Sequence, residues 1–373
     1  MKWLFWICVF GCLYSYAIYP LLLSLMPKRR QALGESKDTP KVSLVIACRN
    51  EAKRLRHKLE NALQIDYPNI EIMVASDASD DGSDPLVLEF AQRGVRLVRS
   101  PERRGKEYAQ GLAIAQAQGD IIVFSDAGTD LPPDSIGFIA DRFRDTSVGA
   151  VSSEDLFIGS DGKLAGEGAY VRYEMWLRRL ESERAGLVGM SGSFFAVRRS
   201  VLTKWDATIP SDFACALLTV QAGKVAVSDP RVRGIYSDIK DPSKEYQRKV
   251  RTAIRGMTGL ARLAQVLNPL RYGRFAFQVW SHKVMRWLVP WFLLGTLISS
   301  AALHQAGGIY RLVLWVQVVG YALIALAHSA TRFRDIGPVR IAYYFFQANL
   351  ALADAAVQFA AGKRVVVWNP SVR

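Results

Sequence analysis

Three clusters of acidic and polar residues have the types and spacing to do chemistry. They are Cys48-Arg49-Asn50-Glu51, Ser76-Asp77-Ala78-Ser79-Asp80-Asp81-Gly82-Ser83 and Ser125-Asp126-Ala127-Gly128. Each directly follows a short apolar, β-branched run. A carboxylate just past a buried strand accepts hydrogen bonds from a base or a ribose, and one at the next switch point holds a hard cation against a diphosphate. The competing reading for any single aspartate is a turn former or helix cap. Three clusters at strand ends of one sheet weaken that reading. No Gly-x-Gly-x-x-Gly follows the first run and no Walker loop occurs, which disfavours a dinucleotide site and an ordinary nucleoside triphosphatase.

The elements that must position these residues are legible from the apolar pattern. Residues 42–47, 70–75, 95–98 and 121–124 read as strands, the first continuous enough for a buried parallel strand. Residues 52–64, 86–93 and 107–117 read as the intervening helices. This alternation predicts βαβ units with right-handed crossovers and ligands at the carboxyl ends of the strands. The charged α/β region runs over 41–270.

Half the residues are apolar, 22% are charged and only four are cysteine, which excludes a disordered chain and a disulfide scaffold. The net charge of +14 suits nucleic acid, anionic lipid or a phosphorylated substrate. Its distribution favours a membrane. Residues 3–26 carry no charge and are followed by Lys28-Arg29-Arg30, so 1–27 reads as an uncleaved anchor whose basic end places the following domain in the cytoplasm. Residues 287–331 read as a transmembrane hairpin within a membrane-associated region, 271–373. Residues 341–361 carry Gln347, Asp354 and Gln358 on one helical face, which favours an interfacial or protein-packed helix over a third C-terminal span. The chain is thus expected as a multi-pass protein of the inner (plasma) membrane with its catalytic domain cytoplasmic. The basic residues from Arg248 to Arg274 suit membrane lipid headgroups or a lipid phosphate better than nucleic acid. Neither the cysteines nor the histidines show metal spacing.

The set of motifs, in this order, resembles the family 2 glycosyltransferases of the inverting, nucleotide-sugar-dependent GT-A type. Asn50-Glu51 is similar to that family's first-strand turn, and the run from Asp77 to Ser83 to its Asp-Gly-Ser-x-Asp-Gly-Thr loop. Gly105-Lys106 and Phe124-Ser125-Asp126-Ala127 are similar to its next two blocks. Gly192 to Arg198 resembles the acceptor-side segment, Ser211-Asp212-Phe213 the block of the catalytic base, and His282 to Pro290 the junction into a membrane hairpin. The resemblance implies a GT-A-type, Rossmann-like, mixed but mainly parallel α/β sheet with flanking helices, plus transmembrane helices at both ends. It implies that Asp77 receives the nucleobase, with Asn50, Glu51 and Asp81 nearby. It further implies that Asp126 ligates Mg2+ or Mn2+ against the diphosphate, and that Asp212 is the general base. Lys106 is either a ribose or phosphate contact or a solvated helix-start lysine. Arg248 and Arg251 either meet the diphosphate or lie on a helix surface, and Asp212 has a helix cap as its alternative. Glu174 or Glu181, on a helix over about 165–184, is a lesser acceptor contact beside the packing role.

Two departures matter. The family's Asp-x-Asp has Gly128 at its second acid, which leaves ligation to Asp126, water and phosphate, with Asp130 as an added candidate. The processive Gln-x-x-Arg-Trp motif is absent around Gln247, which favours transfer of one sugar. The expected activity is transfer of a sugar from a nucleotide-diphosphate donor, a UDP-sugar first, to a hydroxyl of a lipid-linked or saccharide acceptor in envelope glycan or glycolipid synthesis. The alternatives are a processive polysaccharide synthase subunit, an inactive membrane scaffold of the same fold, and a nucleotidyltransferase, for which the Gly-rich basic loop is missing.

Overall fold

The runs at 42–47, 70–75, 95–98 and 121–124 form four adjacent parallel strands: β1 (Val42–Cys48), β2 (Ile70–Ser76), β3 (Val95–Arg99) and β4 (Ile121–Asp126). The structure is a computed structural model and describes residues 1–32, 34, 39–158, 169–237, 242–334 and 336–367. Three further strands complete a seven-stranded sheet: β5 (Val148–Ile158), β6 (Phe194–Arg198) and β7 (Val225–Ser237). The order is β3-β2-β1-β4-β6-β5-β7, with β6 antiparallel to both neighbours and β5 parallel to β7. The sheet is therefore mixed and mainly parallel, with helices on both faces. From β1 the chain winds outward through β2 and β3, then returns to place β4 on the other side of β1. That reversal is a topological switch point, where open α/β sheets bind ligands.

Apolar side chains cover both faces, as a parallel sheet requires. Leu44, Ile46, Val74 and Val123 are buried with Leu55 and Leu59 of the Ala52–Leu63 helix. Val45, Met73 and Phe124 are buried on the other side with Ala109 and Ala113 of the Lys106–Gln116 helix. Each such fully buried side chain contributes roughly 1.5–3 kcal/mol over its exposed state. Register does the positioning, because Ala47 pairs with both Ala75 and Asp126. The carboxyl ends of β2, β1 and β4 are therefore level.

The chain divides into two units. The sheet unit comprises residues 26–240, 258–277 and 365–373; the other comprises 1–25, 241–257 and 278–364. Among the described residues, three runs are long and apolar enough to cross a membrane: Lys2–Leu25, Pro269–Ala302 and Gly308–Ser329. The first packs on Met285–Ala302 through small residues, which allow close helix approach: a Cβ at Gly11 would collide with the Phe292 ring, and one at Gly295 would lie 2.6 Å from Cys8 Sγ. The polar 341–361 region falls in the Gly337–Ala360 helix, which packs on Met285–Ala302 and Gly308–Ser329. There Asp354 accepts from Gln358 Nε2 at 2.7 Å and from Tyr246 Oη at 3.3 Å, so its carboxylate is spent on protein partners.

Candidate active site

Asp77 is the first residue past β2, is nearly fully buried, and donates its backbone N–H to the Cys48 carbonyl at 3.0 Å. Its carboxylate accepts the backbone N–H groups of Arg104, at 2.9 Å, and of Gly105, at 3.0 Å to each oxygen. Gly105 has φ +103°, a conformation that side chains rarely adopt. Its neighbour Lys106 opens the Lys106–Gln116 helix and donates from Nζ to Asp126 Oδ1 at 2.5 Å and to the Gly192 carbonyl at 3.1 Å. Two consecutive residues thus touch the carboxylates at the ends of β2 and β4, across the end of β1.

Asp212 joins this cluster from the far side. It lies in the first turn of the Ser211–Gln221 helix, half-buried, one residue beyond Ser211, while Pro210 holds the N-cap position. A Cβ at Gly192 would lie 3.3 Å from Asp212 Oδ2, so the residue whose carbonyl holds Lys106 also abuts Asp212. Burial alone would pull the Lys106 ammonium down, but Asp126 first, then Glu107 and Asp212, outweigh it and raise its pKa. The ammonium stays charged at the point where these acidic groups converge.

The remaining expected donor residues frame the loop. Asn50, at φ +55°, exchanges hydrogen bonds with Asp80, Nδ2 to Oδ1 at 2.7 Å and Asp80 N to Oδ1 at 3.1 Å. Asn50 and then Arg49 hold the exposed Asp80 carboxyl below its ordinary value. Glu51 stands at the N-cap position of the Ala52–Leu63 helix and donates its N–H to Ser83 Oγ at 3.0 Å. Asp81 accepts from Ala52 N at 3.0 Å and from Ser83 Oγ at 2.6 Å. Burial pushes Asp81 up, but those bonds outweigh it and hold it down. Asp81 is thus a cap and loop tie in this geometry. Arg248 and Arg251 lie on the Pro242–Arg262 helix, in the part of it that belongs to the other unit. Glu181 is fully buried and Glu174 half-buried; residues 165–168 of that expected helix lie outside the described ones.

Lys58 escaped sequence reading. It is fully buried, donates to the Thr129 carbonyl, and is pulled down to about 7 by burial against the opposing pull of Asp130 and Asp126. The signal was present, because 55, 58, 59 and 62 follow the period of one helical face. Asp155 was also missed: it accepts from Ser191 Oγ at 2.6 Å and Ser193 Oγ at 3.0 Å, bracketing Gly192.

Among the described residues no three His, Cys, Asp or Glu side chains gather as a metal cage, and Asp130 is paired with His57 at 3.0 Å. The one-carboxylate arrangement still fits a cation carried in with a diphosphate, because Mg2+ is held through one or two carboxylates plus phosphate oxygens and water. Asp126 would supply that carboxylate.

Residues 43–205 match the family described as Glycosyl transferase family 2. Poly-beta-1,6-N-acetyl-D-glucosamine synthase of Staphylococcus epidermidis is 25% identical over 200 residues, 51% of this chain and 48% of that protein. The synthase of Staphylococcus aureus (strain COL) is 26% identical over 211 residues, 54% of this chain and 50% of that protein. The chain thus spans about half the length of the curated relatives it matches. Among solved structures, the mannosyltransferase PcManGT from Pyrobaculum calidifontis, in complex with GDP-Man and Mn2+, has the same fold, with TM-score 0.71 and 21% identity over 97% of this chain and 99% of that one. With acidic strand ends tied to the consecutive residues Gly105 and Lys106 on a mainly parallel α/β sheet, residues 43–205 of the chain are a family 2 glycosyltransferase domain.

Proposed function

We propose that this glycosyltransferase moves one sugar, with inversion, from a nucleoside-diphosphate donor to a hydroxyl of a lipid-linked or saccharide acceptor. A UDP-sugar is the first donor to try. The observation that carries the reading is the contact of Gly105 with Asp77 and of its neighbour Lys106 with Asp126, with Gly192 linking Lys106 to Asp212. Asp77 receives the nucleobase beside Gly105, within the loop framed by Asn50, Glu51 and Asp81. Lys106 and Asp126 meet the diphosphate. Mg2+ or Mn2+ held by Asp126 would stabilise negative charge on the departing diphosphate; PcManGT was solved with Mn2+. Asp212 takes the proton of the acceptor hydroxyl as its oxygen attacks the anomeric carbon from the face opposite the diphosphate, and the C–O bond to the diphosphate breaks. The apolar helices and the basic stretch ahead of them support a multi-pass protein of the inner (plasma) membrane, with residues 41–270 as its cytoplasmic catalytic domain and 271–373 membrane-associated.

The test is a panel of nucleotide sugars offered to the purified chain with membrane lipid extract as acceptor, run alongside Asp212→Asn. One donor should support metal-dependent transfer, and Asp212→Asn should lower turnover about 100-fold or more at unchanged donor affinity. Unchanged turnover would remove Asp212 as the base. The names of the staphylococcal relatives favour a second reading, synthesis of a polymer. Product length separates the two: one added sugar against a ladder.

A further inference from the structure

The far C-terminal segment reaches the same loop. Residues 365–367, which follow the Gly337–Ala360 helix and a short turn, belong to the sheet unit. A Cβ at Gly105 would lie 3.1 Å from the Val366 carbonyl oxygen and 3.6 Å from Val367 Cα. Gly105 is buried although Arg103 and Arg104 beside it are exposed. Glycine at 105 therefore answers two demands at once, a positive φ and the passage of a second backbone directly over its Cα.

We propose that Val365-Val366-Val367 is the outer wall of the nucleobase pocket, so that the end of the chain completes a site whose floor is Asp77 and the 104–105 loop. The inference rests on the donor-site reading of Asp77. Three consecutive β-branched side chains suit this task, because they lose little rotamer freedom when fixed and present an apolar surface to the flat face of a base. Val365 and Val366 are half-buried while Val367 is 45% exposed, leaving apolar surface for a ligand to cover. The ligand class is a nucleoside diphosphate, and the segment acts on its base rather than on the sugar.

The experiment titrates UDP and GDP, each with Mn2+, into the intact chain and into a chain ending at Arg364, both in detergent. The intact chain should bind one nucleotide, and the shortened chain should bind it about tenfold more weakly, the equivalent of about 1.4 kcal/mol. Equal or tighter binding by the shortened chain overturns the wall. Hydrogen exchange on the intact chain gives a second measurement that needs no variant. Nucleotide should slow exchange at residues 365–367 together with 104–106, and slowing at 104–106 alone overturns the proposal even if the shortened chain does not fold. Absence of nucleotide binding by the intact chain overturns the donor-site reading itself, and the wall with it.

Discussion

The pair at the centre of the site is a carboxylate and an ammonium 2.5 Å apart, Asp126 and Lys106, both mostly shielded from water. Charge-assisted bonds in such surroundings are roughly twice as strong as neutral ones, so the pair fixes the lysine head and the end of β4 relative to each other. A cation held by Asp126 would compete with Lys106 for the one carboxylate, which would free the ammonium for the phosphate oxygens, anionic acceptors like the carboxylate it now holds. Asp126→Asn is therefore expected to weaken nucleoside-diphosphate binding when Mn2+ is present and to leave it unchanged in chelator. Calorimetric titration under both conditions checks this, and equal weakening in both would take Asp126 off the ligand list.

At the scale of elements, the Ala52–Leu63 helix carries a cost inside its own buried face. Leu55, Leu59 and Ala62 pack on the sheet, and Lys58 is buried among them with a pKa near 7. In the unfolded chain this lysine keeps its proton to about 10.4. Between pH 7 and that value the unfolded state binds more protons than the native state, so stability rises with pH across the window. Below pH 7 the lysine is charged in both states and the contribution is gone. The rise is at most about 1.4 kcal/mol per pH unit. The melting temperature of the intact chain in detergent should climb between pH 7 and 9 by a margin that Lys58→Met lacks. Parallel pH profiles for the two proteins would contradict a proton lost from Lys58 on folding.

At the scale of the whole molecule, one unit carries Asp77, Lys106, Asp126 and Asp212 and the other carries all or part of each of the three apolar runs, with the Gly337–Ala360 helix packed on two of them. The link at residues 304–307 between the second and third runs is short and nearly neutral, whereas Lys28, Arg29 and Arg30 follow the first run and Arg332, Arg334 and Arg340 follow the third. The basic flanks favour the cytoplasmic side. A reporter inserted at Gly307 should therefore be read outside the membrane, and one fused after Arg373 should be read in the cytoplasm. An external reading at Arg373 would make the Gly337–Ala360 helix a fourth span.

What the sequence determined by itself was local and periodic. β1 and β4 are buried along nearly their whole length and read as unbroken apolar runs, β2 and the edge strand β3 keep enough β-branched residues to be read despite Glu71 and Arg96, and the acidic residues that follow β1, β2 and β4 in the chain follow them in space. The apolar runs of the membrane unit were legible for the same reason. The other half of the sheet was not: β5 and β7 carry irregular register near Ser152 and Glu154 and mix polar with apolar residues, and β6 is five residues long. The helix expected at 86–93 is Ser83–Glu89 followed by a single tight turn, Ala91–Arg93, because Gly82 starts it earlier and the chain must turn at Gly94 into β3. Only the tertiary structure decided which acids meet. Lys106 and Asp126 are joined by level strand ends across the switch point, Gly192 and Asp212 by the return of β6 and the helix after it, and Gly105 and Val366 by a chain end some 260 residues away. Periodicity places a side chain on a face; it carries no information on which distant backbone lies against that face, and the site is made of those contacts.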